Sequence, residues 1–315
     1  MITGGAGFIG ANLVRRLETL AGVSEIVVVD DLSFGFRENL DGTTATLVEG
    51  SILDEELLRH ATDGASTIVH LAARSSVPRS VAEPMATHEV NATGTALVLE
   101  AARHAGDVQV IVASSSSVYG STDVLPKHEG LVARPISPYA ASKLATESYA
   151  LAWGHSYGLP VLALRFFNVF GPLQPPAHTY AAVIPAFLAA ACSGTPLPVH
   201  GNGTQCRDFT FVGSVVDVLA QAITRQVSHP DPVNLAFGTR VTLLEVIAEL
   251  EHILERRLPV DHLPTRVGDV RRSQADSGLL LELFPDLVPT DLVTGLRATV
   301  EWFELTRPWE RSTPY

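Results

Sequence analysis

Short apolar runs alternate with helix-period stretches through the first half of the chain. Residues 25–30, 66–71, 108–113 and 161–166 are rich in Val and Ile and show no polar alternation. That pattern predicts strands buried on both faces. Between them, residues 8–20, 84–105 and 138–156 carry Ala, Leu and other apolar side chains at helical spacing. Strand, helix, strand at this rhythm predicts an α/β doubly wound parallel sheet covered by helices. The second half reads differently. Pro and Gly crowd residues 171–176 and 194–203, and helical patterns follow at 180–192, 215–226, 242–256 and 291–305, with few strands. The expected division is a sheet domain over residues 1–168 plus about 209–237, and a smaller mixed α/β C-terminal domain over about 169–208 and 238–315. No internal repeat is visible.

Composition narrows the partners. The chain has 315 residues, 46% of them apolar and 18% charged, with a net charge of −12. A large core is expected, and nucleic acid and anionic membranes are poor partners. No apolar run is long enough to span a bilayer, and no secretory signal pattern opens the sequence. The two cysteines, Cys192 and Cys206, argue against a disulfide scaffold and fit a reducing cytoplasm. The eleven histidines show no ligand spacing, so no metal site is expected.

A glycine motif sits between the first strand and the first helix: Thr3-Gly4-Gly5-Ala6-Gly7-Phe8-Ile9-Gly10. Gly4 permits a tight turn, Gly7 lets a pyrophosphate approach the backbone, and Gly10 lets the helix pack against the sheet. An ordinary glycine turn could carry the same residues. Asp30 strengthens the dinucleotide reading, because it lies 20 residues beyond Gly10 at a strand end, where an acid binds a ribose hydroxyl. Asp31 beside it would repel a 2′-phosphate, which favours NAD over NADP; Arg37 is the dissenting charge. Only Met1, Ile2 and Thr3 precede the motif, fewer than a central strand normally uses. Either that strand is short or the native chain starts upstream.

Tyr139 and Lys143 stand four apart within a predicted helix, so they share one face. An ammonium near a phenol favours the phenolate, and a poised base is what proton transfer needs. An exposed helix could show the same pair. Some 24 residues before Tyr139, the run from Ser114 to Ser117 follows an apolar strand. Hydroxyls at a strand's C-terminal end face the crevice where ligands bind, although a plain polar turn would look alike.

Taken together these residues closely resemble the extended short-chain dehydrogenase/reductase family, and within it the NAD-dependent nucleotide-sugar epimerases. The resemblance runs from Thr3 to about Phe303. It is carried by the glycine motif, His70-Leu71-Ala72-Ala73, Asn91-Ala92-Thr93-Gly94-Thr95, the segment from Ser115 to Gly120, Tyr139 with Lys143, Arg165-Phe166-Phe167-Asn168-Val169-Phe170-Gly171-Pro172, and Arg207-Asp208-Phe209-Thr210-Phe211-Val212. It implies a Rossmann-type fold, with Tyr139 as the base and Lys143 holding the nicotinamide ribose. Ser115 is then the hydroxyl beside the sugar O4, with Ser116 as the alternative. The implied cofactor contacts are Gly4, Gly7, Phe8, Ile9, Gly10, Asp30, Asp31, Ser51, Ile52, Leu71, Ala72, Ala73, Tyr139, Lys143 and Phe166. Ser51 departs from the family's usual Gly-Asp-Ile at the adenine side. The implied substrate contacts are Ser75, Ser115, Ser116, Tyr139, Asn168, Val183, Arg207, Arg266, Asp269 and Ser273.

The same resemblance narrows the reaction. Related dehydratases carry an Asp-Glu pair after the catalytic hydroxyl, and decarboxylases a Glu before Val-Tyr-Gly; this chain has Ser116 and Ser117 there. Without those carboxylates no second proton transfer is provided. The expected activity is reversible inversion at C4 of a UDP-hexose or UDP-N-acetylhexosamine, through a transient 4-keto sugar. A 4-ketoreductase, a dehydratase or a non-catalytic NAD-binding relative stand as alternatives. Ser273 occupies a position where glucose-restricted relatives carry Tyr, leaving room for a 2-acetamido group, and residues 180–185 resemble the same subgroup. Pro175 stands where uronic-acid epimerases carry Arg. Relatives pair through helices matching 84–105 and 138–156, so a homodimer is expected.

Overall fold

Seven parallel strands form the central sheet, in the order Val233–Leu235, Val161–Phe166, Gln109–Ser115, Thr67–His70, Ile2–Thr3, Val27–Asp30 and Thr46–Glu49. The structure is a computed structural model, and it describes residues 1–176, 182–265 and 272–310. From Ile2–Thr3 the chain winds outward to Val27–Asp30 and Thr46–Glu49. It then crosses back to Thr67–His70 on the other side of the first strand. Strand order reverses there, so a crevice opens beyond the carboxyl ends of Thr3 and His70.

The four strands expected from apolar runs are present. Two edge strands and the helix Glu55–Thr62 were not foreseen. Thr46–Glu49 has no fully buried residue, and Val233–Leu235 is only three residues long, so neither makes a long apolar run. In this chain the first strand has two residues, Ile2 and Thr3. Its pairing is prolonged by Gly4 N–H to Val29 O at 2.8 Å and by Val69 N–H to Met1 O at 2.9 Å.

Helices cover both faces. Phe8–Glu18 and Val212–Thr224 pack on one, around Leu13, Val14, Val215 and Leu219. Gly94–Ala105 and Pro138–Tyr157 pack on the other, with Val98, Leu99 and Ala150 against Val110 and Val112. The expected single helix over 84–105 is broken. Pro84–His88 leads into a π turn at Glu89–Thr93 before Gly94–Ala105 begins. A side chain at Gly94 would meet Ile52 Cδ1 at 2.5 Å, so glycine leaves room there for the Ile52 side chain from the turn after Thr46–Glu49.

A separate apolar cluster joins the helices Val183–Ser193, Leu243–Ile253 and Leu292–Thr306, with Phe187, Val246 and Phe303 at its centre. Leu280, Phe284 and Leu287 lie instead in the cluster built on the sheet, apart from the rest of residues 238–315. Short ladders connect the two clusters; Phe209–Phe211 runs parallel to Asn168–Phe170. Among the described residues, no helix is long and apolar enough to cross a membrane.

Candidate active site

At the crevice the glycine motif turns as its spacing requires. Gly4 has φ +70°, and a Cβ there would lie 2.7 Å from Ala72 N. At Gly10 a Cβ would lie 2.4 Å from Gly4 O. At Gly7 it would touch only Gly4 O, at 3.2 Å, so the glycine leaves its own space open. Phe8 and Ile9 begin the helix and pack on the core. Asp30 is buried and takes one backbone N–H on each oxygen, from Ala6 at 2.9 Å and Leu32 at 2.9 Å. Burial pushes its carboxyl above the usual range, against the pull of those two N–H groups. Each carboxylate oxygen keeps a further lone pair. Asp31 is exposed and accepts from Ser33 N–H. Arg37, the dissenting charge, is ion-paired with Glu49. An open glycine cradle, an acid at the strand end and a neutralised arginine fit NAD.

Other expected cofactor residues ring this crevice. Leu71 N–H donates to Thr3 O at 3.0 Å and Ala72 N–H to Thr3 Oγ1 at 3.3 Å, and Ala73 follows them. The Ser51 hydroxyl accepts from Leu53 N–H. The Ile52 and Phe166 side chains are buried in the core, so their side chains are packing elements here. Ser75 is exposed.

Tyr139 and Lys143 lie on Pro138–Tyr157, a helix started by Ser137, whose hydroxyl accepts from Ala140 N–H, and by Pro138 in the first turn. Lys143 is 5% exposed, and its Nζ donates to Ala113 O at 2.7 Å. Burial lowers its pKa to about 8. The Tyr139 phenol is raised above its ordinary value by burial, partly countered by a hydrogen bond with Ser115. This reverses the sequence expectation of a phenol lowered by the lysine, because desolvation outweighs the other influences on it. The sheet strand runs through Ser115, whose hydroxyl accepts from Ser117 N–H at 3.2 Å. Ser115 therefore faces Tyr139; Ser116 opens the following 3-10 turn.

Beneath this pair runs a buried polar network to which the sequence reading gave no role. His70 contacts Thr3 Oγ1 through Nδ1 at 2.7 Å and Thr95 Oγ1 through Nε2 at 3.0 Å. The Thr95 hydroxyl donates to Asn91 O, so His70 donates from Nε2 and accepts from Thr3 at Nδ1. Burial, with the Lys143 charge, lowers the His70 pKa to about 3. Asn91 Nδ2 continues the network to Ser142 Oγ at 2.9 Å, one residue before Lys143. A second network holds the same helix: Glu147 is paired with Arg165 at 2.6 Å and accepts from Ser114 Oγ at 2.7 Å.

A cavity of about 240 Å³ brings together Asn168, Val183 and Arg207, three of the expected substrate contacts. Gln174, His200 and Gln205 also line it and were not foreseen. Gln174 Nε2 donates to Val169 O, while its buried Oε1 has no partner among the described residues. Their isolated polar side chains gave the sequence no spacing signal. Asp208 is fully buried and accepts from Ala275 N–H and the Thr239 hydroxyl, which binds the Arg207 strand to both segments. Ser273 N–H donates to Cys206 O at 3.2 Å, so Ser273 sits beside Arg207 without lining that cavity. Arg266 and Asp269 lie outside the described residues.

Known proteins are similar to this chain in sequence and fold. The model of the NAD dependent epimerase/dehydratase family matches residues 1–236. A UDP-glucose 4-epimerase of Mycolicibacterium smegmatis is 35% identical over 309 residues, covering 96% of this chain and 97% of the relative. The solved structure of a UDP-N-acetylglucosamine 4-epimerase from Methanobrevibacter ruminantium M1, in complex with UDP-N-acetylmuramic acid, is 34% identical with a TM-score of 0.90, covering 96% of this chain and 97% of that one. A dTDP-glucose 4,6-dehydratase from Streptomyces venezuelae with NAD bound is 32% identical with a TM-score of 0.89, covering 98% and 97%.

Proposed function

The chain belongs to the NAD dependent epimerase/dehydratase family, enzymes of nucleotide sugars, and on that footing we propose that it inverts the C4 hydroxyl of a UDP-hexose or UDP-N-acetylhexosamine. The observation that carries this reading is the Ser115–Tyr139 contact at the strand end, followed in the chain by Ser116 and Ser117. One hydroxyl pair serves one proton, at O4. Dehydration needs further acid and base groups for neighbouring carbons, and serines are poor candidates for that work.

When bound, NAD supplies the hydride acceptor and donor for C4. Tyr139 takes the proton from O4 as C4 is oxidised and returns it when C4 is reduced from the opposite face. Ser115 hydrogen-bonds the reacting oxygen and keeps it beside the phenol. Lys143, still mainly charged at pH 7, favours the phenolate form of Tyr139 when the proton moves. Asn168 and Arg207 hold the diphosphate while the sugar turns, with Arg266 and Asp269 completing that anchor. Ser273 leaves room at C2 for an acetamido group.

The test is to incubate the enzyme with UDP-glucose, UDP-galactose, UDP-GlcNAc and UDP-GalNAc and follow C4 by NMR. C4 inversion of at least one, without added cofactor turnover, is expected. Loss of water from the sugar, or net consumption of NADH, overturns the reading in favour of a dehydratase or a reductase. We also propose a cytoplasmic homodimer paired through the helices near Met85 and Tyr149, both exposed. A monomer by light scattering at micromolar concentration overturns the pairing.

A further inference from the structure

The loop after Val27–Asp30 and the segment after Thr67–His70 leave the sheet on either side of the first strand. The glycine turn follows that first strand, so any contact between the two segments must pass over the cofactor crevice. One such contact exists. Arg79 Cζ lies 4.4 Å from the centroid of the Phe34 ring, and Arg74 Cζ lies 6.0 Å from it. Both distances are within the range in which a cation is drawn to a ring face.

Each side of this contact is anchored. On the Phe34 side, Phe36 N–H donates to Ala6 O at 3.1 Å and Leu32 N–H to Asp30, which fixes the loop on the glycine turn. A Cβ at Gly35 would lie 2.9 Å from Ala6 C, so the loop rests directly on the turn. On the Arg79 side, the Asn91 side chain holds both the N–H and the C=O of Arg74, and Arg74 is ion-paired with Glu83. Ser80, next to Arg79, accepts from Tyr139 N–H at 3.0 Å. That N–H belongs to the first turn of the helix and would otherwise lack a partner.

We infer that Phe34 and Arg79 close a clasp over the cofactor crevice and set how long NAD stays bound. The inference rests on the NAD site described above and concerns retention of the dinucleotide. A cofactor that is reduced and reoxidised in place gains from slow escape, and a ring–guanidinium contact is a closure that can reopen without breaking the fold. Ser80 extends the clasp to Tyr139, so one closure spans the lip of the cofactor site and the start of the catalytic helix.

The experiment measures NAD release from the purified holoenzyme by rapid ultrafiltration, for wild type, Phe34→Leu, Arg79→Gln, the double variant and Phe34→Tyr. Each of the two single variants is expected to release NAD about three- to tenfold faster, the scale of one partly exposed cation–π contact. The double variant should release no faster than the faster single one, because both changes break the same contact. Phe34→Tyr, which keeps a ring face, should release NAD at the wild-type rate. Unchanged release rates, or single effects that multiply in the double variant, overturn the clasp. Melting temperatures of the NAD-free proteins accompany the rates; variants that lose stability in parallel with NAD also overturn it. A wild-type protein that purifies without NAD overturns the cofactor site itself, a distinct outcome.

Discussion

At the cofactor crevice the surface is mostly backbone. Gly4, Gly7 and Gly10 contribute absence of side chain, and Asp30 accepts one backbone N–H from the glycine turn, at Ala6, and one from its own loop, at Leu32. Across the sheet, the proposed reacting end relies on side chains brought from far apart in the chain: Ser115, Tyr139, Lys143, Asn168 and Arg207. The two regions should therefore fail differently. Adding one carbon to the first damages shape, and removing one oxygen from the second damages chemistry while leaving shape intact.

Tyr139→Phe is the largest expected effect. Loss of general-base catalysis should lower turnover by about 10²–10⁴, while folding and NAD content stay near wild type. Activity assays beside cofactor analysis check this, and a near-normal turnover would remove Tyr139 from its role. Gly10→Ala tests the other region. Its Cβ would face Gly4 O at 2.4 Å and Gly5 Cα at 2.6 Å, atoms that cannot rotate aside. Overpacking against backbone should cost about 3 kcal/mol and deplete bound NAD. Gly42→Ala is the control, since Gly42 has φ +75° but nothing within 4 Å. Only backbone strain of about 1–2 kcal/mol applies there, with NAD content unchanged.

Ser273→Tyr sharpens the comparison on the sugar side. A ring added beside Arg207 should disfavour the 2-acetamido substrates by about five- to 150-fold relative to the plain hexoses, from about 1–3 kcal/mol of overpacking. The ratio of specificity constants reads it, and an unchanged ratio would place Ser273 away from the sugar. The last test joins the two regions through His70. Its folded pKa of about 3 lies below the ordinary 6.5, so the unfolded chain takes up a proton that the folded one refuses. Its contribution to stability is complete above pH 6.5 and falls by about 1.4 kcal/mol per pH unit between 6.5 and 3. Chemical denaturation of wild type and His70→Gln across that range should show a shallower acid decline in the variant.

How much of this was legible beforehand follows the same division. Residues 3–10 and Asp30 were readable because backbone geometry leaves a local signature: a glycine wherever a Cβ would collide. Tyr139 and Lys143 were readable because both stand on one helix. The Asn168–Val183–Arg207 cavity draws on three separate segments, and only the family resemblance put those residues together. Glu147 with Arg165, and His70 with Thr3 and Thr95, carried no local pattern; their partners are strands or helices away, and burial gives them meaning. The direction of the Tyr139 shift was misread for the same reason. Spacing shows that Lys143 is near, but says nothing of how far both groups are from water.

Lys143 has one more consequence, for selection. Holding its ammonium in the interior lowers its pKa from 10.5 to about 8, a penalty of about 3 kcal/mol on the charged form at neutral pH. Its Nζ keeps a hydrogen bond to the Ala113 carbonyl. A library sorted only for survival of heat should therefore enrich an uncharged residue of similar length, such as Lys143→Met, and the winners should be inactive. Heat tolerance and turnover pull this one position in opposite directions, so an evolution experiment that scores both should leave it untouched while its neighbours drift.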